Sequence, residues 1–260
     1  MSSFRALLVT ATVLASGTAL AEDGKPYTAL PAETGQTVTP APELLAAAEA
    51  LRDAAAAKDT AAVAALVAER LVFVDAGITL DVPRRAETKG PFADAGATLA
   101  AIGLAFTEGE PLLPDGKPFD ATKSRIATAH ATIVELIDGA RWGRDPLVAG
   151  AVCTAPGAKW DAKAAKKARL GGTRGGFVAA ETKVMSEPGG DGARPIGTLK
   201  PGFLYATGGD EENGFLAARL PSGKAGWFPV EAGYGATAWG LCFNPDGRGW
   251  RMSAVLSALN

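Results

Sequence analysis

Apolar positions recur along this chain first at helical spacing and later at strand spacing, and the change divides it. From Pro42 onward, Leu44, Leu45, Ala48, Leu51 and Ala55 follow the i, i+3, i+4, i+7 period of an amphipathic helix, which Lys58-Asp59-Thr60 breaks. Asp59 or Thr60 suits the N-cap of a second helix, with Val63, Leu66 and Val67 as its apolar face. Leu71 to Asp75 (LVFVD) reads as a buried strand, and Gly77 to Val82 as its hairpin partner. Two more helices are predicted. Residues 93–106 would bury Leu99, Ile102, Leu104 and Phe106, and Ala121 to Ile137 would bury Ile126, Ile133, Val134 and Ile137. A Pro- and Gly-rich loop, Glu108 to Phe119, separates them, Gly139 ends the second, and Leu147 to Cys153 returns to strand.

Residues 154–176 read as a connector, with a short helix after Trp160-Asp161 and a Gly-rich exit. Lys159, Lys163 and Lys167 lie four apart and share one helix face, either a patch for phosphate or an acidic partner or an ordinary solvated face. The solvated face is favoured, because charged helix faces are common and the helix can dock through Trp160. From Phe177 the pattern is strand and turn. Between Ala193 and Phe228 three short apolar runs are cut by KPG, GGDEENG and PSGKAG, each carrying the residues a tight turn needs. Strands at this spacing predict a small, bent antiparallel barrel. A last hairpin closes the chain, with Trp239, Leu241 and Phe243 on one face, answered across Pro245-Asp246-Gly247 by Trp250, Met252 and Ala254.

The run Ile196-Gly197-Thr198-Leu199, the strand Phe215 to Leu220 and the hairpin Ser222 to Trp227 resemble the bacterial SH3-like (SH3b-type) domain of exported proteins. The resemblance covers about 50–60 residues, the scale of one small module. It departs at Met185, where the family often has Arg, and at Phe215, where it usually has Trp. With the LCF and DGRGW segments of the tail, the chain also resembles a group of exported proteobacterial proteins that carry such a module. Residues 42–82 loosely resemble the cone-shaped nuclear-transport-factor-like fold, whose enzymes place Asp and His inside the cone, whereas this chain's one histidine, His130, lies far along the sequence. The fold class expected is α+β: a helix-rich domain over 42–153, the connector, and an SH3-like β-barrel with its added hairpin over 177–260.

Residues 1–21 have the pattern of a cleaved secretory signal: Arg5, an apolar stretch from Ala6 to Ala15, and Ala19-Leu20-Ala21. They are too short and too polar for a membrane span, so a mature chain starting at Glu22 is expected in the periplasm. Residues 22–41, rich in Pro, Thr and Gly, read as a disordered tether. The formal net charge of -2 and pI of about 5.6 give no global field to recruit nucleic acid. Cys153 and Cys242 are the only cysteines, and in an oxidising compartment they are expected to pair.

Catalytic chemistry is sparse. One histidine and two distant cysteines supply neither a hydrolase triad nor four zinc ligands. Papain-like peptidases are often fused to SH3-like modules, but neither cysteine opens a helix that would lower its pKa. Asp210-Glu211-Glu212 reads as a solvated turn, and no phosphate-binding glycine motif follows a strand. No cofactor or metal is expected. Two functions stay open. One is a non-catalytic periplasmic protein whose barrel recognises peptidoglycan or a protein segment. The other is a small enzyme with a carboxylate-based site in the N-terminal domain, and the binder is favoured. Its candidate groove is aromatic: Tyr205, Phe215, Trp227, Tyr234 and Trp239. Strand alternation predicts Phe215 and Trp227 in the barrel core, while nearby Gly-rich turns predict Tyr205, Tyr234 and Trp239 at the surface.

Overall fold

A computed structural model describes residues 24–75, 77, 79–107, 120–236 and 238–257. The expected signal segment lies outside them. In chain order the first elements are β1 (Leu30–Thr34), β2 (Gln36–Thr37), α1 (Pro42–Ala56), α2 (Thr60–Ala65), β3 (Val67–Asp75), β4 (Arg85–Lys89), α3 (Ala95–Leu104) and α4 (Ala121–Asp138). Then come β5 (Gly143–Arg144), β6 (Val152–Cys153), β7 (Ala158–Trp160), α5 (Ala162–Lys167), β8 (Gly175–Val178), β9 (Thr182–Met185) and β10 (Pro195–Leu199). The chain ends through β11 (Phe203–Glu212), β12 (Phe215–Arg219), β13 (Ala225–Pro229), β14 (Gly233–Gly235), β15 (Gly240–Asp246) and β16 (Gly249–Ser257). The fold is mixed α+β.

The helical periods of the first half fold as four helices, with corrections: α2 ends at Ala65, so Val67 opens β3, and Leu45 and Leu104, expected on buried faces, are exposed. Asp59, Asp94 and Asp120 each accept a backbone N–H three residues on, capping α2, α3 and α4. These helices and α1 cover one face of a seven-stranded sheet ordered β2-β5-β6-β15-β16-β3-β4. Leu44 and Leu51 of α1, Leu99 and Ile102 of α3 and Ile133 of α4 meet Leu71, Phe73, Phe243 and Val255 in the largest core cluster. The opposite sheet face buries Val74, Val148, Cys153, Cys242, Ala254 and Leu256. Cys153 and Cys242 face each other in the β6–β15 register and form a disulfide, with sulfurs 2.06 Å apart.

A second sheet of nine strands curls into a half-barrel, ordered β10-β9-β13-β12-β11-β1-β7, with β8 joining β11 to β14. Val184, Leu199, Tyr205, Ala218 and Phe228 fill its concave side. The β11–β12 hairpin turns through Asn213 and Gly214, both at positive φ (51° and 78°), the two-residue loop that matches strand twist.

Several expectations are corrected here. The stretch expected as a tether carries β1 and β2: β1 pairs with β11 and β7, and Leu30 is buried. The terminal hairpin does not extend the barrel, because β15 and β16 lie in the middle of the helix-covered sheet, β16 pairing in parallel with β3. A bulge after Cys242 turns Ala254 away from Met252, so the two lie on opposite sheet faces. The antiparallel partner of β3 is β4 and not Gly77 to Val82, of which residues 79–82 form a turn, and the strand read over Leu147 to Cys153 is confined to Val152–Cys153. The connector contains β7, so Lys159 sits on a strand, and Trp160 docks by donating its indole N–H to Leu80 O at 2.5 Å.

Candidate functional site

The outer face of the half-barrel gathers two of the five predicted aromatics. In β12 the residues Leu216 and Ala218 point to the core, which turns Phe215, Ala217 and Arg219 outward. In β13 Phe228 is buried at 1% exposure while Trp227 is half-buried, so the inside position expected for Trp227 belongs to its neighbour. Trp227 stands opposite Ala217 on one side and Met185 on the other, and Phe215 stands opposite Pro229. Phe215 and Trp227 are therefore diagonal neighbours on one face, a spacing that long aromatic side chains can bridge. A Cβ placed on Gly189 would come within 3.4 Å of the Phe215 ring, so the loop after β9 borders the same patch. The Trp227 indole N–H has no hydrogen-bond partner among the described residues and is left as a polar handle on an apolar body.

The other three predicted residues lie elsewhere. Tyr205 is buried, 3% exposed, and its hydroxyl closes the turn before β11, accepting from Lys200 N at 2.7 Å and donating to Lys200 O at 3.1 Å. Burial raises its pKa. Alternation in β11 leaves no exposed side because both faces are covered: Tyr205 enters the barrel core, while Leu204 and Ala206 enter a second cluster with Tyr27, Leu80 and Phe177. Tyr234 is half-buried where the two sheets meet. Its ring stacks on Phe177 at 5.3 Å, Arg141 lies 5.9 Å above it, and its hydroxyl is 3.1 Å from Thr37 Oγ1. Arg141 also donates to Val230 O and Gly233 O, tying the helix-covered sheet to β14. Trp239 is exposed, but it rests on Phe106 at 5.6 Å, beside the end of α3.

Met185 and Pro229 belong to the outer patch and were not named as candidates from the sequence, since neither carries chemistry and only the strand register brings them beside the aromatics. Among the described residues no group of three or more His, Cys, Asp or Glu could hold a metal ion. His130 is buried on α4, with Nε2 3.3 Å from Thr60 Oγ1 and no hydrogen-bond partner for Nδ1 among the described residues. Burial, and then Lys58, hold its pKa below the ordinary value. One more buried polar group binds the molecule together. Arg84 pairs with Asp145 at 2.9 Å and donates to Ala158 O at 2.7 Å, while Asp145 also accepts from the N–H groups of Leu147 and Gly157. No protein-family model, curated protein or solved structure matches this chain.

Proposed function

We propose that this is an exported, non-catalytic binding protein of the cell envelope, whose half-barrel acts as an SH3-like module that docks an extended protein segment. The observation that carries the reading is the outward pair Phe215 and Trp227, flanked by Met185 and Pro229 on the convex face. Flat rings bury large areas at little conformational cost, and a free indole N–H suits the backbone carbonyl of an extended partner. The buried disulfide supports an oxidising compartment such as the periplasm. Among the described residues no helix is long and apolar enough to cross a membrane.

The test is site-specific photocrosslinking in cells, with the crosslinker at Phe215 or Trp227 and, as a control, at half-buried Leu216 of the opposite face. Adducts to an envelope protein from the two outward positions and not from Leu216 would support the docking face. Retention on purified sacculi that is lost in Trp227→Ala would move the ligand to the cell-wall polymer. Equal labelling from all three positions, or none, would reject the assignment.

A further inference from the structure

A cleft of about 340 Å³ opens on the helix-covered half of the molecule, away from the aromatic face. Its walls come from three separate stretches: the end of α2 with the start of β3, the loop leading into α3, and the tip of the β15–β16 hairpin. Val67, Pro91 and Phe92 make the apolar part, and Glu69, Asp94, Arg248 and Arg251 supply the charge. Two of those four are occupied, wholly or in part. Arg251 is held by Ala65 O and by Asp246 Oδ2 at 3.1 Å, so its charge is already matched. Asp94 spends Oδ1 on the Ala97 N–H at 2.8 Å, which leaves Oδ2.

The other two are not occupied. The Arg248 backbone N–H bonds Asp246 Oδ1 at 2.7 Å, but its guanidinium has no partner among the described residues, and neither has the Glu69 carboxylate. Arg248 and Glu69 line one cleft without forming an ion pair. The lining therefore presents one unmatched charge of each sign. A simple anion would meet Arg248 but would be repelled by Glu69 and Asp94, and a simple cation would have the reverse problem. Only a ligand carrying both signs satisfies both groups, with an apolar part for Phe92 and Val67.

We infer that the cleft binds a zwitterionic small molecule of amino-acid to dipeptide size, its carboxylate on Arg248 and its ammonium at Glu69 and Asp94. The Arg248 fork can donate two parallel hydrogen bonds to a carboxylate, and the volume falls at the small end of the range for ligand sites. This site is separate from the proposed docking face, so either assignment can fail alone.

Calorimetry with the whole protein tests it, using L-alanyl-L-phenylalanine, its N-acetyl form and its C-terminal amide. The free dipeptide should bind, and each capped form should bind about tenfold more weakly or worse, the cost of losing one charge-assisted contact. In Arg248→Gln the dipeptide and its amide should become equivalent, and in Glu69→Gln, where Asp94 remains, the preference for the dipeptide over its N-acetyl form should shrink. Both side chains are exposed, so circular dichroism of these variants should match the parent. No heat of binding at about 5 mM dipeptide, a range where Kd values looser than millimolar are still seen, would overturn the inference. So would capped forms that bind as well as the free one.

Discussion

At the level of single residues, hydrogen bonding decides more than proximity to a turn. Tyr205 lies close to Pro201-Gly202, a context that suggests exposure, yet its hydroxyl is the group that closes that turn. Tyr205→Phe should cost about 1–2 kcal/mol in urea unfolding, because the Lys200 N–H and C=O lose the buried hydroxyl that closes their turn. Trp227→Ala should cost less than a fully buried aromatic would, about 1–2 kcal/mol against 3–5 for a core ring, since the ring covers Ala217 and Met185 from outside. Neither value needs a ligand to be measured. His130 provides a pH readout. Its folded pKa lies below its ordinary value, chiefly through burial and next through Lys58, with nearby Asp59 acting the other way. As pH falls, the unfolded chain takes up a proton that the folded chain resists. The stability present above the unfolded pKa of about 6.5 is therefore lost progressively below it. Urea midpoints should fall between about pH 7 and pH 5, and more steeply than in His130→Gln. Parallel pH profiles for the two proteins would contradict this role.

Among elements, those with a periodic pattern and a local start signal were readable from sequence. α1 begins at its Pro, and Asp59, Asp94 and Asp120 mark the next three helix starts by the N–H groups they accept. What sequence could not give was pairing over distance. β1 reads as polar linker because only one of its five residues is buried, and its hydrogen bonds go to strands more than a hundred residues away. The inside–outside parity of β13 turned on a single residue, since Trp227 and Phe228 are adjacent and only their neighbours in β9 and β12 decide which points in. The α3–α4 contact shows the opposite case, a close approach that depends on one side chain being absent. A Cβ on Gly103 would fall 1.8 Å from Arg125 O, so no rotamer relieves it and one helix must move. Gly103→Ala should therefore lose about 3 kcal/mol or more, at the upper end for overpacking. Thermal and urea unfolding would measure it, and a neutral result would mean that α3 and α4 slide freely.

For the whole molecule, two devices tie distant stretches of chain together, the first between the half-barrel and the helix-covered sheet and the second within that sheet. One is the Arg84–Asp145 pair with its bond to Ala158 O, almost wholly buried with side-chain exposures of 2% and 0%. Arg84→Met leaves the Asp145 carboxylate buried without its counter-ion, and should cost about 3–5 kcal/mol. Chemical denaturation followed at both tryptophan and far-ultraviolet signals would also report whether the two halves still unfold together. The other is the disulfide. Reducing it should lower stability by about 2–4 kcal/mol, measurable as a shift of the urea midpoint with reductant. Its position has a mechanical consequence as well. Cys153 and Cys242 are 89 residues apart in sequence and adjacent in the β6–β15 pair, and between them run β7 to β14. Most of the half-barrel thus lies in a covalently closed ring whose two ends are clasped together within the helix-covered sheet. A protease that cuts an exposed tip of that ring, such as the loop between β9 and β10, would leave every fragment attached to the body. A copy nicked there would keep its two pieces joined for as long as the clasp stayed oxidised.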